Sequence, residues 1–194
     1  MKKVIGYCFV MFFVLSSPKL LAGGNSRLSN LSDAGDKLAL EISGYRSWTR
    51  VNPEPLNLPA PLDLLCRAPT LDERAETSRN PHRRKFFTVY VNESGRDAMM
   101  TAAEPKFPQG SIIVKEKLLD KGGSKAELLT AMIKRGPGFN PTNGDWEYFV
   151  LNGEGVKVEA RGKLENCQAC HSTKKETDYV FRSYLPGNVR QKLR

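Results

Sequence analysis

Trp146-Glu147-Tyr148-Phe149-Val150-Leu151-Asn152-Gly153-Glu154-Gly155-Val156-Lys157-Val158-Glu159-Ala160 is the stretch on which the fold turns. Trp146 to Leu151 and Val156 to Ala160 suit strands, and they flank asparagine and glycines that favour the positive φ of hairpin turns. An antiparallel β-hairpin is predicted here. Upstream, Phe86 to Asn92 is rich in aromatic and β-branched residues, and Ser111 to Leu118 follows the turn residues Pro108-Gln109-Gly110, which predicts two more strands. Between them, Glu93 to Ala103 reads as a short helix ending before Pro105. Ala126 to Arg135 carries a stripe, Leu128, Leu129, Met132 and Ile133, that also suits a helix. The flanking Gly122-Gly123 and Gly136-Pro137-Gly138 favour a strand between turns.

Nearer the N-terminus, Leu31, Leu38, Ile42 and Tyr45 recur near helical spacing after the capping candidates Ser32-Asp33, with Gly44 near the stop. A first helix is predicted there. Pro53, Pro55, Pro59 and Pro61 make Asn52 to Pro61 an extended crossing rather than a regular element. Thr70 to Arg84 is charged and polar and reads as a loop. At the other end of the chain, Leu164 to Ser172 is predicted as a short helix, and it contains the motif that carries the chemistry.

That motif is Cys167-Gln168-Ala169-Cys170-His171, or C-x-x-C-H, only 23 residues from the C-terminus. Two thiols one helical turn apart can both form thioethers to haem vinyl groups, and the adjacent imidazole then falls under the iron as an axial ligand. The motif therefore predicts one covalent haem c held by Cys167, Cys170 and His171. Competing readings are a zinc site that also recruits Cys66 and His82, a dithiol redox pair, and a plain disulfide. Zinc modules usually pair two close Cys doublets, and redox C-x-x-C pairs normally follow a strand and need no adjacent His.

Lys2 and Lys3, the apolar run Val4 to Leu15 and the break at Ser16-Ser17-Pro18 read as a secretory signal peptide over residues 1–22, with cleavage after Ala22. The apolar run is twelve residues, short of the ~20 that span a bilayer, so no retained membrane segment is expected. A periplasmic or secreted protein follows, which suits haem attached outside the cytoplasm. The mature chain of 172 residues is long enough for one domain with a real core. Loss of Lys2, Lys3 and Lys19 lowers the net charge from +9 to +6, spread along the chain. That distribution is a solvated surface rather than a nucleic-acid footprint, with an acidic redox partner protein or an anionic membrane face still open. Cys66 is left over from the haem motif, as a small buried hydrophobe or an intermolecular disulfide.

No Met follows His171, whereas the commonest small c-type cytochromes place a Met ligand far downstream of the motif. Any sixth ligand must come from Met99, Met100, Met132 or His82, each of which also reads as core filler or surface.

Tyr45-x-x-Trp48, Val89-Tyr90-Val91-Asn92, Phe107-Pro108-x-Gly110-Ser111, Val114-Lys115-Glu116, Lys134, Gly144-Asp145-Trp146 with Phe149, the haem motif and Asp178-Tyr179-Val180-Phe181 follow one another in an order that resembles the cytochrome P-460 family, including the cytochromes c′-beta. The resemblance runs from Tyr45 to about Pro186. It implies an α+β fold, mainly antiparallel β-sheet with a few helices and a C-terminal haem-attachment helix. With the segments read above, the expected organisation is a signal peptide over 1–22, a tail and helix over 23–44, and a haem domain resembling this family over 45–190. The resemblance also implies a homodimer and one haem with an open distal face.

Some members of that family oxidise hydroxylamine, using a Lys bonded to the haem ring and a distal carboxylate; others only bind ligands such as nitric oxide. Lys115 resembles the cross-linking position, although a strand face shared by Ser111, Ile113, Lys115 and Lys117 also suits a solvated surface. Thr130 stands near the place expected for the acid, and Glu127, three residues away, falls on the opposite face of a regular strand. Such acid/base help is typically worth ~10²–10⁴-fold in rate. The expectation is an exported mono-haem cytochrome binding nitric oxide or a similar small ligand. The alternatives are an oxidoreductase of hydroxylamine or a related nitrogen compound, and a simple electron carrier.

Overall fold

The structure, a computed structural model, describes residues 37–58 and 85–193. The signal segment, Cys66, His82 and the predicted loop over 70–84 lie outside the described residues. Residues 37–42 form a helix, α1, followed by a 3-10 turn at Tyr45–Ser47. The strands are β1 Thr49–Arg50, β2 Leu56–Leu58, β3 Lys85–Val91, β4 Ile112–Leu118, β5 Ala126–Lys134, β6 Trp146–Asn152 and β7 Val158–Gly162. Helices α2 Glu93–Met100, α3 Glu165–His171 and α4 Gly187–Lys192 complete the order. All seven strands join one antiparallel sheet in the order β1-β3-β4-β5-β6-β7, with β2 also on β3. This is the α+β architecture expected from the sequence.

The predicted hairpin forms, and its turn is fastened from Asn152. The Asn152 side-chain oxygen accepts from the backbone N–H groups of Val156 and Lys157, both at 3.0 Å. Ala126 to Lys134 is a strand, as its flanking glycines indicate. One expectation is corrected: Asn52 to Pro61 contains β2, because Leu56, Asn57 and Leu58 lie between prolines and can pair with Phe87, Phe86 and Lys85.

Alternation along the central strands gives the sheet two apolar faces. On one face Tyr90, Ile112, Val114, Leu129, Ala131, Ile133, Phe149 and Leu151 are buried beneath α1, whose Leu38 and Ile42 are covered, and beneath Tyr45. On the other, Val89, Val91, Ile113, Met132, Trp146 and Tyr148 pack with Ala98 and Met99 of α2 and with Tyr179, Val180 and Leu185 of the C-terminal segment. Asn92 caps α2 by accepting from Gly95 N at 3.2 Å and ties it to β4 by accepting from Ile112 N at 2.9 Å, the first of which is typically worth about 1 kcal/mol. The covered C-terminal segment brings the haem motif onto this second face.

Candidate functional site

Helix α3 presents Cys167 and Cys170 one turn apart and ends on His171. Neither thiol is joined in a disulfide, both are half-buried, and Cys167 packs against the second-face core. The helix is anchored through Gln168, whose side-chain oxygen accepts from Asn140 Nδ2 at 3.0 Å and whose amide donates to the Lys163 carbonyl at 2.8 Å.

His171 Nδ1 lies 2.6 Å from the backbone carbonyl oxygen of Tyr179. A carbonyl only accepts, so Nδ1 carries the proton and the lone pair of Nε2 is left for a metal. Burial pushes the imidazole pKa below its ordinary value, the Tyr179 bond opposes that, and the Lys115 ammonium adds to the lowering. The neutral, ligating form is favoured. Tyr148 and Phe181 hold the ring at centroid distances of 5.2 and 5.1 Å, and the Tyr148 hydroxyl donates to Asn143.

The Tyr179 carbonyl is aimed by an unusual corner. Asp178 and Tyr179 both have left-handed backbones, φ 54° and 65°, a conformation that costs a non-glycine residue roughly 1–2 kcal/mol. The corner is held by Lys134 Nζ, which donates to both Asp178 carboxylate oxygens at 2.8 and 2.7 Å, by Phe107 N on the same carboxylate at 2.8 Å, and by Trp146 Nε1 on the Asp178 carbonyl at 2.8 Å. Gly144, at φ 63°, lies under the Tyr179 ring, where an added Cβ would sit 2.5 Å from Cδ2. A Gly144→Ala variant is therefore expected to lose roughly 2–4 kcal/mol from left-handed strain and overpacking combined, read as a lower midpoint in chemical denaturation.

Next to His171 the second face opens. The row Val89, Lys115, Thr130, Val150 and Ala160 runs across β3 to β7 in direct register. Its last four members are half-buried, while the neighbouring row through Ile113, Met132 and Tyr148 is fully covered. Lys115 Nζ lies 4.8 Å from the centre of the Phe87 ring. The face of β4 that carries it is not a solvated one, because Ile113 is in the core and the Lys117 side chain is only 12 % exposed. Thr130 is the direct partner of Lys115. At a bulge between Lys117 and Leu118 the register steps from Leu128 to Ala126, and the Glu127 carboxylate in between reaches 3.4 Å from Lys117 Nζ. The regular-strand parity that placed Glu127 on the far face fails at this bulge.

Of the candidate sixth ligands, Met99 and Met132 are buried in the second-face core and Met100 packs against it. Sequence reasoning singled out the thiols, His171 and Lys115 as candidates, and named Lys134 and Asp178 without their pairing; the Tyr179 carbonyl, Tyr148 and Asn143 enter only with the structure. Two consecutive left-handed residues other than glycine leave almost no signal in a single sequence. The donor set fits a haem: two adjacent thiols, an imidazole with its metal-facing nitrogen deprotonated, and a half-open, partly apolar face beside them.

Among the described residues no helix is long and apolar enough to cross a membrane. A search of curated proteins gave no match. The cytochrome P460 family model matches residues 69–182, more than half of the chain. The haem motif, the corner that orients its histidine and Lys115 all fall within that match, and the chain belongs to the cytochrome P460 family of haem proteins.

Proposed function

We propose that the chain is an exported cytochrome carrying one haem c, attached through Cys167 and Cys170, with His171 as its axial ligand and the opposite side of the iron open to nitric oxide or a similar small ligand. The observation that carries this reading is the 2.6 Å bond from His171 Nδ1 to the Tyr179 carbonyl, which fixes one tautomer and directs the other nitrogen to a metal. When bound, the haem supplies an iron that changes oxidation state and takes up a small ligand. The protein's part is to fix the imidazole, enclose it with Tyr148 and Phe181, and keep Met99 and Met132 in the core rather than at the iron. Periplasmic or secreted placement rests on the signal-like residues 1–22.

A second reading, oxidation of hydroxylamine or a related small nitrogen compound, is favoured by one specific observation. Lys115 is a half-buried member of the open row, and its ammonium contributes to lowering the His171 pKa, which supports a lysine near the cofactor's ligand. Against it, the residue directly opposite Lys115 is Thr130, whose hydroxyl does not ionise near neutral pH and so cannot replace a carboxylate as acid or base.

Absorption spectra of the reduced protein with and without nitric oxide, repeated after denaturation, separate the readings. The leading one expects a five-coordinate spectrum that changes on adding nitric oxide and becomes that of an ordinary c-type haem when unfolded. A six-coordinate, low-spin spectrum indifferent to nitric oxide points to an electron carrier. A denatured spectrum still displaced from ordinary c-type haem points to the Lys115 cross-link.

A further inference from the structure

The C-terminal segment carries an excess of exposed positive charge. Lys163, Lys175, Arg190 and Lys192 are exposed there, and the exposed acids of residues 163–193 are Glu165 and Glu176. The third acid of the segment, Asp178, is buried in its bond to Lys134 and shows no charge to the surface. By contrast α1 sets Lys37 against Glu41, and α2 sets Arg96 against Glu93 and Asp97. The C-terminal cations lie around the haem motif. Lys163 precedes α3, and its carbonyl accepts from Gln168 within the motif. Lys174 and Lys175 stand in the 3-10 turn Ser172–Thr177 that continues α3. Arg190 and Lys192 are on α4, whose Val189 packs, with Leu193, on the same second-face core as Cys167.

Two half-buried aromatic rings sit beneath these cations. Lys163 Nζ is 5.4 Å from the centre of the Phe139 ring, and Lys174 Nζ is 5.9 Å from that of Phe181. The Phe181 ring in turn meets the His171 imidazole, centre to centre at 5.1 Å. A partner seated on Lys174 and Lys175 is therefore one ring away from the axial ligand. Rings at a surface supply contact area, while the charges around them select the sign of the partner and speed its approach. The sign here calls for an acidic partner. A membrane is the poorer fit, because interfacial binding needs large apolar side chains beside the cations. Among the described residues the exposed ones, Leu40, Leu119 and Val156, all lie outside residues 163–193.

We propose that the surface formed by Lys163, Lys174, Lys175 and α4 docks an acidic one-electron carrier protein, which draws an electron from the haem iron on the side of Phe181. The inference rests on the haem reading above and adds to it a partner and the face that receives it. In the step one electron leaves ferrous iron and enters the partner's oxidised centre, giving ferric iron and a partner reduced by one electron; no bond or proton changes hands. The lysines are docking residues, since their charge meets the partner and not the iron.

The test uses full-length holoprotein and, as probe, plastocyanin, an acidic blue-copper protein. Haem staining after a denaturing gel comes first: an unstained wild type removes the haem reading itself, whatever the docking face does. With haem present, calorimetric titration of the ferric protein with oxidised plastocyanin reads binding alone, and stopped-flow mixing of the ferrous protein with it reads electron transfer. Raising the salt from about 0.01 M to about 0.15 M is expected to weaken both about tenfold, as the screening length falls from about 30 Å to about 8 Å. At low salt Lys163→Glu with Lys175→Glu should weaken both about tenfold. Lys37→Glu with Lys125→Glu removes the same charge from exposed positions elsewhere and should stay within about twofold of wild type. Equal losses in the two double variants would show that net charge is felt and not this face, and overturn the proposal; absent or salt-independent binding overturns it as well. Phosphatidylglycerol vesicles that sediment with the wild type but not with Lys163→Glu, Lys175→Glu, where plastocyanin binds both alike, assign the face to a membrane and also overturn it.

Discussion

An Asp178→Ala variant is expected to lose about 3–5 kcal/mol of stability, the cost of breaking one side of a buried ion pair. The Asp178 carboxylate is 9 % exposed and Lys134 is 14 % exposed, so neither charge has water to fall back on. Removal leaves the Lys134 ammonium without this carboxylate, beside the Trp146 ring 5.1 Å away, and leaves the Phe107 N–H without its acceptor. The substitution also puts alanine at φ 54°, where the short polar side chain of Asp is better tolerated than a methyl. Asp178→Asn keeps an acceptor for Phe107 and the left-handed tolerance while losing the charge, and should fall between the two. Denaturant midpoints of the three proteins check the order; an Asp178→Ala protein as stable as wild type would sink the account. The loss should also be visible at the imidazole. Once the corner relaxes, the Tyr179 carbonyl no longer holds His171 Nδ1, and in the haem-loaded protein the iron–histidine stretching band moves to lower frequency as the ligand becomes less basic.

This coupling explains why the fold was far more legible in the sequence than the site was. Strands announce themselves through local composition: the hairpin around Asn152 to Gly155, the aromatic run of β3 and the glycine-bounded β5 each form where local residues favour them. The pairing of Lys115 with Thr130 follows once β4 and β5 are adjacent and in register. Glu127 does not, because a bulge of one residue reverses the face of everything beyond it and no residue type obliges the bulge. β2 was hidden for the opposite reason, since the prolines around it suggest no pairing although the three residues between them are free to pair. The proximal corner was hidden most completely. His171 and Tyr179 are eight residues apart, and what joins them is a backbone oxygen steered by Lys134, 44 residues from Asp178.

Replacing both motif thiols, Cys167→Ala with Cys170→Ala, is expected to abolish covalent haem attachment while leaving the sheet folded. The first half follows from chemistry: each thioether needs one of these sulfurs, and the haem held by His171 alone would leave in a denaturing gel, so the stained band should vanish. The second half follows from packing. Helix α3 contributes no fully buried residue, whereas the two apolar faces are built from β3 to β6 with α1, α2 and the segment through Tyr179, Val180 and Leu185. Cys167 does pack against the second face, so its truncation to alanine removes some contact, on the order of 1 kcal/mol for a small, half-buried side chain. The Gln168 bonds to Asn140 and Lys163 still hold the helix. Far-ultraviolet circular dichroism should therefore retain its β signature and unfolding should stay cooperative. Single variants sharpen the prediction, because one remaining thioether keeps the band: Cys170→Ala should stain nearly as well as wild type, and Cys167→Ala should stain with a lower denaturation midpoint. A double variant that still carries haem through a denaturing gel would instead locate a covalent bond elsewhere, and Lys115 is the side chain the open face offers for it.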